Sequence, residues 1–167
     1  MNELKQNLLL MDSSFYERTK NKIDQMSDKQ LVVLNNLINM KRIFTDLGSQ
    51  IEKQIAQNMI NQHLQGNLTK EDFENTVDRL LLLRTILAAR PHHMKNEKIN
   101  EMTDGELTIV AQFIHQLENP ATKPPYKKVL ESVIEEILDG KKISQDEINL
   151  RLAKASKKSN KKCLGKK

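Results

Sequence analysis

The apolar residues of this chain recur at intervals of three and four, and no segment alternates for long enough to make a strand. Leu31, Leu34 and Ile38 share one helical face, as do Leu107, Val110, Ile114 and Leu117. Ser27 and Thr103 stand at N-cap positions before these rows, and Gln30 and Glu106 follow three residues later as capping-box partners. Broader double rows come next. Ile51, Ile55, Met59 and His63 run beside Ala56, Ile60 and Leu64, and later Val129, Val133 and Ile137 run beside Leu130, Ile134 and Leu138. A stripe this broad belongs to a helix packed in a core. Gly66 and Gly140 follow, where a left-handed residue ends a helix. Thr69 with Asp72, and Ser144 with Glu147, then cap a third helix. The fold class is all-α.

These rows come in two matching sets. Lys22 to Leu31 (KIDQMSDKQL) aligns with Lys98 to Leu107 (KINEMTDGEL), and Val33, Leu34, Leu37 and Ile38 align with Ile109, Val110, Phe113 and Ile114. Ile55, Met59, Ile60, Leu64 and Gly66 then align with Val129, Val133, Ile134, Leu138 and Gly140. Thr69, Glu71, Phe73 and Val77 align with Ser144, Asp146, Ile148 and Leu152. The register shifts only in the turns, the mark of an internal duplication of a three-helix unit. The expected organisation is an N-terminal helical segment (1–21), unit 1 (22–90), a hinge (91–97), unit 2 (98–153) and a basic tail (154–167).

The third helix of the first unit departs from its counterpart. Phe73, Val77, Leu80, Leu83 and Leu87 form one stripe, while Leu81, Leu82 and Ile86 cover much of the remaining girth. A helix apolar on two sides is buried on two sides. It either runs between the units or places Leu81, Leu82 and Ile86 in a protein interface, a homodimer contact included.

Charge separates the tail from the rest. The 167 residues carry 27 Lys and Arg against 22 Asp and Glu, a net charge of +5. Seven of the lysines, Lys154, Lys157, Lys158, Lys161, Lys162, Lys166 and Lys167, lie in the last fourteen residues with no acidic neighbour. The preceding residues hold 20 basic side chains and all 22 acidic ones, a net of −2. So apolar-poor a tail is expected to be disordered. Lysines suit phosphate contacts that carry no base sequence, so nonspecific affinity for DNA or RNA is expected of these seven. An anionic membrane surface near Cys163, or a targeting signal, are the other readings of the same charge. No apolar run exceeds four residues, which excludes a membrane-spanning helix. The N-terminus lacks the apolar stretch of a secretory signal, and the expected location is cytoplasmic.

Candidate chemistry is sparse. A single cysteine excludes a disulfide framework and a cysteine-rich zinc module. His92 and His93 are expected to point apart on an exposed hinge after Pro91, away from His63 and His115, so no metal site is expected. The stretch around Asp139-Gly140 lacks the ligand set of a calcium loop. The five glycines are scattered and form no phosphate-binding loop. The third helices resemble DNA-reading helices only weakly, because their first turns are acidic. No catalytic residue, cofactor or enzymatic activity is expected. The leading expectation is a small regulatory or accessory protein whose folded body binds a macromolecular partner and whose tail adds nucleic-acid affinity. The alternative is a protein–protein adaptor or inhibitor, acting through the groove between repeats or the face at Leu81, Leu82 and Ile86.

Overall fold

The computed structural model describes residues 2–164, with side chains as far as Lys158, and contains eight α-helices and no strand among them. They are α1 (Glu3–Met11), α2 (Ser13–Asp24), α3 (Asp28–Asp46), α4 (Gln50–Leu64), α5 (Lys70–Ala89), α6 (Asp104–Glu118), α7 (Pro124–Leu138) and α8 (Gln145–Leu164). Two short 3-10 helices, Pro91–His93 and Glu97–Glu101, link α5 to α6. None of the described helices is long and apolar enough to cross a membrane. The chain divides into two compact units, residues 1–80 and 81–167, and the boundary falls inside α5.

In the first unit α3 packs on α1 and α4, and α1 on α2. Its core joins Leu8, Tyr16 and Ile23 to Leu31, Leu34 and Leu37, with Met59, Ile60 and Leu80 from the later helices. The expected N-terminal helical segment consists of two helices, α1 and α2. Asp12 ends α1 by donating its N–H to the Leu8 carbonyl (3.0 Å), and its side chain then accepts from Phe15 N–H (3.0 Å) to start α2. One aspartate serves as both C-cap and N-cap, which breaks the helix without proline or glycine.

In the second unit α7 packs on α6 and α8. Ile99, Leu107, Val110, Val133, Ile134, Leu138 and Ile148 are buried there. The caps expected from the sequence form in both units. Ser27 and Gln30 make a reciprocal box, and the Glu106 N–H donates to Thr103 Oγ1 (3.1 Å). Asp72 and Glu147 N–H groups donate to Thr69 (3.0 Å) and Ser144 (3.1 Å). Gly66 (φ 75°) and Gly140 (φ 94°) sit in the left-handed region that favours glycine. After each, the next N–H (Asn67, Lys141) reaches back to a carbonyl of the last turn (Gln62, Glu136), closing the helix end.

The first part of the expected basic tail is helical: α8 continues through residue 154 to Leu164, because lysine, alanine and serine interrupt a helix far less than the proline or glycine absent before Gly165. The expected disorder of 165–167 lies outside the described residues. Ile86 is fully buried with Leu83 and Leu87, so it belongs to no open face. Helical spacing sends Leu81 the other way, 62% exposed, with Thr85 and Ala88 also exposed, while Leu82 is half-buried.

Candidate functional site

Two features of the second unit concentrate chemistry. The first is the outer face of α8. Ile148 buries the inner face, and Arg151 is bound by acidic neighbours: it donates to Glu136 on α7 and to Glu147 Oε1 (2.8 Å). Hydrogen bonds from Arg151 hold the Glu136 carboxyl below its usual pKa, and those to Glu136 and Glu147 keep the guanidinium still more firmly protonated. Beyond Arg151, Lys154, Lys157 and Lys158 are all exposed. At a helical pitch they fall within about 100° of one another, so they form one stripe along the helix. No acidic residue follows Glu147 in the chain. Lys161 and Lys162 continue the three- and four-residue spacing, but their side chains, with Cys163, lie outside the described residues, as do Lys166 and Lys167.

The start of α8 is unsuited to reading bases. Gln145 donates to Asn149 Oδ1 (3.0 Å), and Arg151 is held by its two glutamates. The polar side chains that a groove-reading helix needs are engaged with one another.

The second feature joins the link after α5 to α7. Pro91 opens a 3-10 turn whose next two residues are His92 and His93. Both histidines turn towards Glu135, which α7 holds beside the buried Val133 and Ile134. His93 Nε2 lies 2.7 Å from Glu135 Oε2, and His92 Nε2 lies 3.2 and 3.3 Å from the two carboxylate oxygens. Arg90 Nε stands 3.4 Å from Oε1. Burial raises the Glu135 carboxyl, but hydrogen bonds from His93 and His92 outweigh it and leave the pKa below the ordinary value.

Asn96 fixes the proton on His93. Its Oδ1 accepts from Lys98 N–H (3.1 Å), and its Nδ2 donates to the Leu138 carbonyl (2.9 Å) and to His93 Nδ1 (3.0 Å). With Nδ1 an acceptor, the neutral ring carries its hydrogen on Nε2 and donates it to Glu135.

The expectation that His92 and His93 point apart on an exposed hinge is therefore corrected. The 3-10 turn brings both rings to one carboxylate, with centroids 4.3 Å apart, and His93 is only 5% exposed. The sequence signal was the His-His pair itself. Its partner, more than forty residues later, becomes visible only once α7 is packed. His63 is unrelated to this cluster and bonds the Gln30 carbonyl (2.9 Å) in the first unit.

No protein-family model, curated protein or solved structure matches this chain.

Proposed function

We propose that the protein is a non-enzymatic, cytoplasmic helical binding protein whose folded body engages a macromolecular partner and whose C-terminal lysines add affinity for nucleic-acid phosphates. The observation that supports this reading is the stripe of exposed Lys154, Lys157 and Lys158 on a continuous helix. A helix spaces its charges at a fixed rise, so several lysines meet one phosphate backbone without each being ordered separately. Binding by lysine point charges is sequence-independent and steeply salt-dependent.

Gel-shift titrations across a salt gradient test it. Full-length protein should retain duplex DNA or RNA at low salt, and a full-length variant with all seven tail lysines changed to glutamine should lose most of that retention. Each lost contact flattens the slope of log affinity against log salt by about 0.9 for duplex DNA. Unchanged binding by the variant sinks the proposal.

The two units are read as diverged copies of one three-helix element. Ser27 and Thr103 cap corresponding helices, and Gly66 and Gly140 end the next pair at positive φ. Ile23 and Ile99, Leu34 and Val110, and Ile60 and Ile134 are buried at aligned positions.

A protein–protein adaptor is the second reading, favoured by Leu81. This exposed leucine stands beside Leu82, which lines a groove of about 390 Å³ with Thr108, Ala111 and His115 of α6. A stoichiometric protein complex disrupted by Leu81→Asp, with no nucleic-acid retention, would favour it.

A further inference from the structure

We infer that His92, His93 and Glu135 form a binding site for a zinc-type divalent transition-metal ion, one that ties the turn after α5 to α7. Two imidazoles and a carboxylate make the donor set that suits zinc, with the fourth position left to water. The three ligand atoms lie within 4.8 Å of one another, and this is the one such group among the described residues.

The spacing fits an ion. Ligands at zinc distances in a tetrahedral site stand about 3.3 Å from each other. His92 Nε2 already lies 3.2 and 3.3 Å from the Glu135 oxygens. His93 Nε2 and Oε2, now hydrogen-bonded at 2.7 Å, must part by about 0.6 Å to admit the metal, and the two histidine nitrogens, within 4.8 Å of each other, must settle at the same tetrahedral separation. His93 is held in place by burial, whereas the His92 side chain is 61% exposed and opens the site to solvent. An exposed imidazole gains little from a carboxylate alone, yet this one sits over Glu135.

Two neighbours set the affinity. Arg90 attends Oε1, which leaves Oε2 to the metal but places a positive charge nearby. Binding also switches the His93 tautomer: the Nε2 proton leaves to solvent, Nδ1 takes one up from solvent, and the ring stays neutral with no net proton released. Asn96 now offers Nδ1 a donor, so its amide must turn over and surrender its bonds to Leu138 and Lys98. These costs place the affinity in the micromolar range rather than that of a structural zinc site.

The test uses tag-free, full-length protein titrated with Zn²⁺ by calorimetry and with Co²⁺ by visible absorption. One ion per chain is expected, with tetrahedral cobalt bands. His92→Ala, at an exposed position, and Glu135→Gln should each weaken binding at least about tenfold, with circular dichroism confirming the fold. Asn96→Asp gives Nδ1–H an acceptor and should tighten binding about tenfold, a gain that a purely hydrogen-bonded latch does not predict. Cys163→Ser and a His63→Ala/His115→Ala double variant should bind as the wild type. Absence of uptake overturns the inference, as does unchanged affinity in both His92→Ala and Glu135→Gln. Failure of Asn96→Asp to tighten binding overturns His93 as a ligand.

Discussion

Glu136 on α7 accepts a hydrogen bond from the guanidinium of Arg151 on α8, fifteen residues further along the chain. Arg151 also donates to Glu147 Oε1 one turn earlier on its own helix. The pair fixes the register of α8 against α7 and occupies the first cation of the α8 surface. Arg151 is thereby separated in role from the lysines that follow.

Glu136→Ala should therefore destabilise the second unit by about 1 kcal/mol or less, the range of a partly exposed, charge-assisted pair. Arg151→Ala should lower the thermal midpoint in the same direction. It should leave the salt slope of nucleic-acid binding unchanged, whereas Lys157→Ala/Lys158→Ala should flatten it by about 1.8 for duplex DNA. Equal effects of the arginine and lysine variants on the slope would contradict the division of roles.

The helical state of the lysine segment predicts something that charge alone does not. Ser156→Pro keeps every lysine but removes a backbone donor and clashes with the preceding turn, costing about 3 kcal/mol of local helix. Helicity beyond Leu152 should fall, and nucleic-acid affinity at low salt should fall with it. A tail acting only as a flexible polycation would bind equally well with the proline. Circular dichroism and a gel shift on the same variant distinguish the two.

What was legible in the sequence was local. Ser27, Thr69, Thr103 and Ser144 announce helix starts because a cap is a contact between residues two or three apart. Gly66 and Gly140 announce helix ends because a left-handed residue is a local demand. The α1–α2 break was also local, written in Asp12-Ser13, but it was obscured by apolar residues that continue across it. The helical start of the tail at Lys154 was not legible, because composition reports what a segment can bury, whereas a helix already nucleated by α8 needs little burial to propagate. Glu135 could not be paired with His92 and His93 at all. Nothing in spacing links a 3-10 turn to a helix more than forty residues away, and only packing of α7 brings them together.

Three of the glycines near helix ends and starts, Gly66, Gly140 and Gly105, should not respond alike to alanine. Gly66 and Gly140 have open space or ordinary contact where a Cβ would stand, so the cost is one of backbone conformation, about 1–2 kcal/mol each. Gly105 lies in the first turn of α6 without a positive φ, and a Cβ there meets nothing closer than Thr103 Oγ1 at 3.8 Å. Gly105→Ala should stabilise by about 0.4–1 kcal/mol, because alanine restricts the unfolded chain without strain in the folded one. Urea denaturation of the three variants checks the signs.

Glu106 supplies the pH prediction. Lys142 Nζ donates to both its oxygens (3.0 and 3.1 Å), and this lowers the carboxyl pKa against the opposing effect of burial, with Thr103 assisting. A carboxyl lowered in the folded state stabilises the protein above its unfolded pKa, and that contribution is lost as pH falls through the folded value. Both values lie at or below about 4.5, so the contribution is constant through neutral pH and disappears only in acid. Lys142→Ala should return the Glu106 titration, followed by carbon NMR of its carboxyl, upwards towards 4.5. The stability gap between wild type and Lys142→Ala should be under about 1 kcal/mol at pH 7 and shrink below pH about 4. A gap that stays constant into acid would mean that Lys142 contributes by packing its chain over Ile109 and Ile148 rather than by charge.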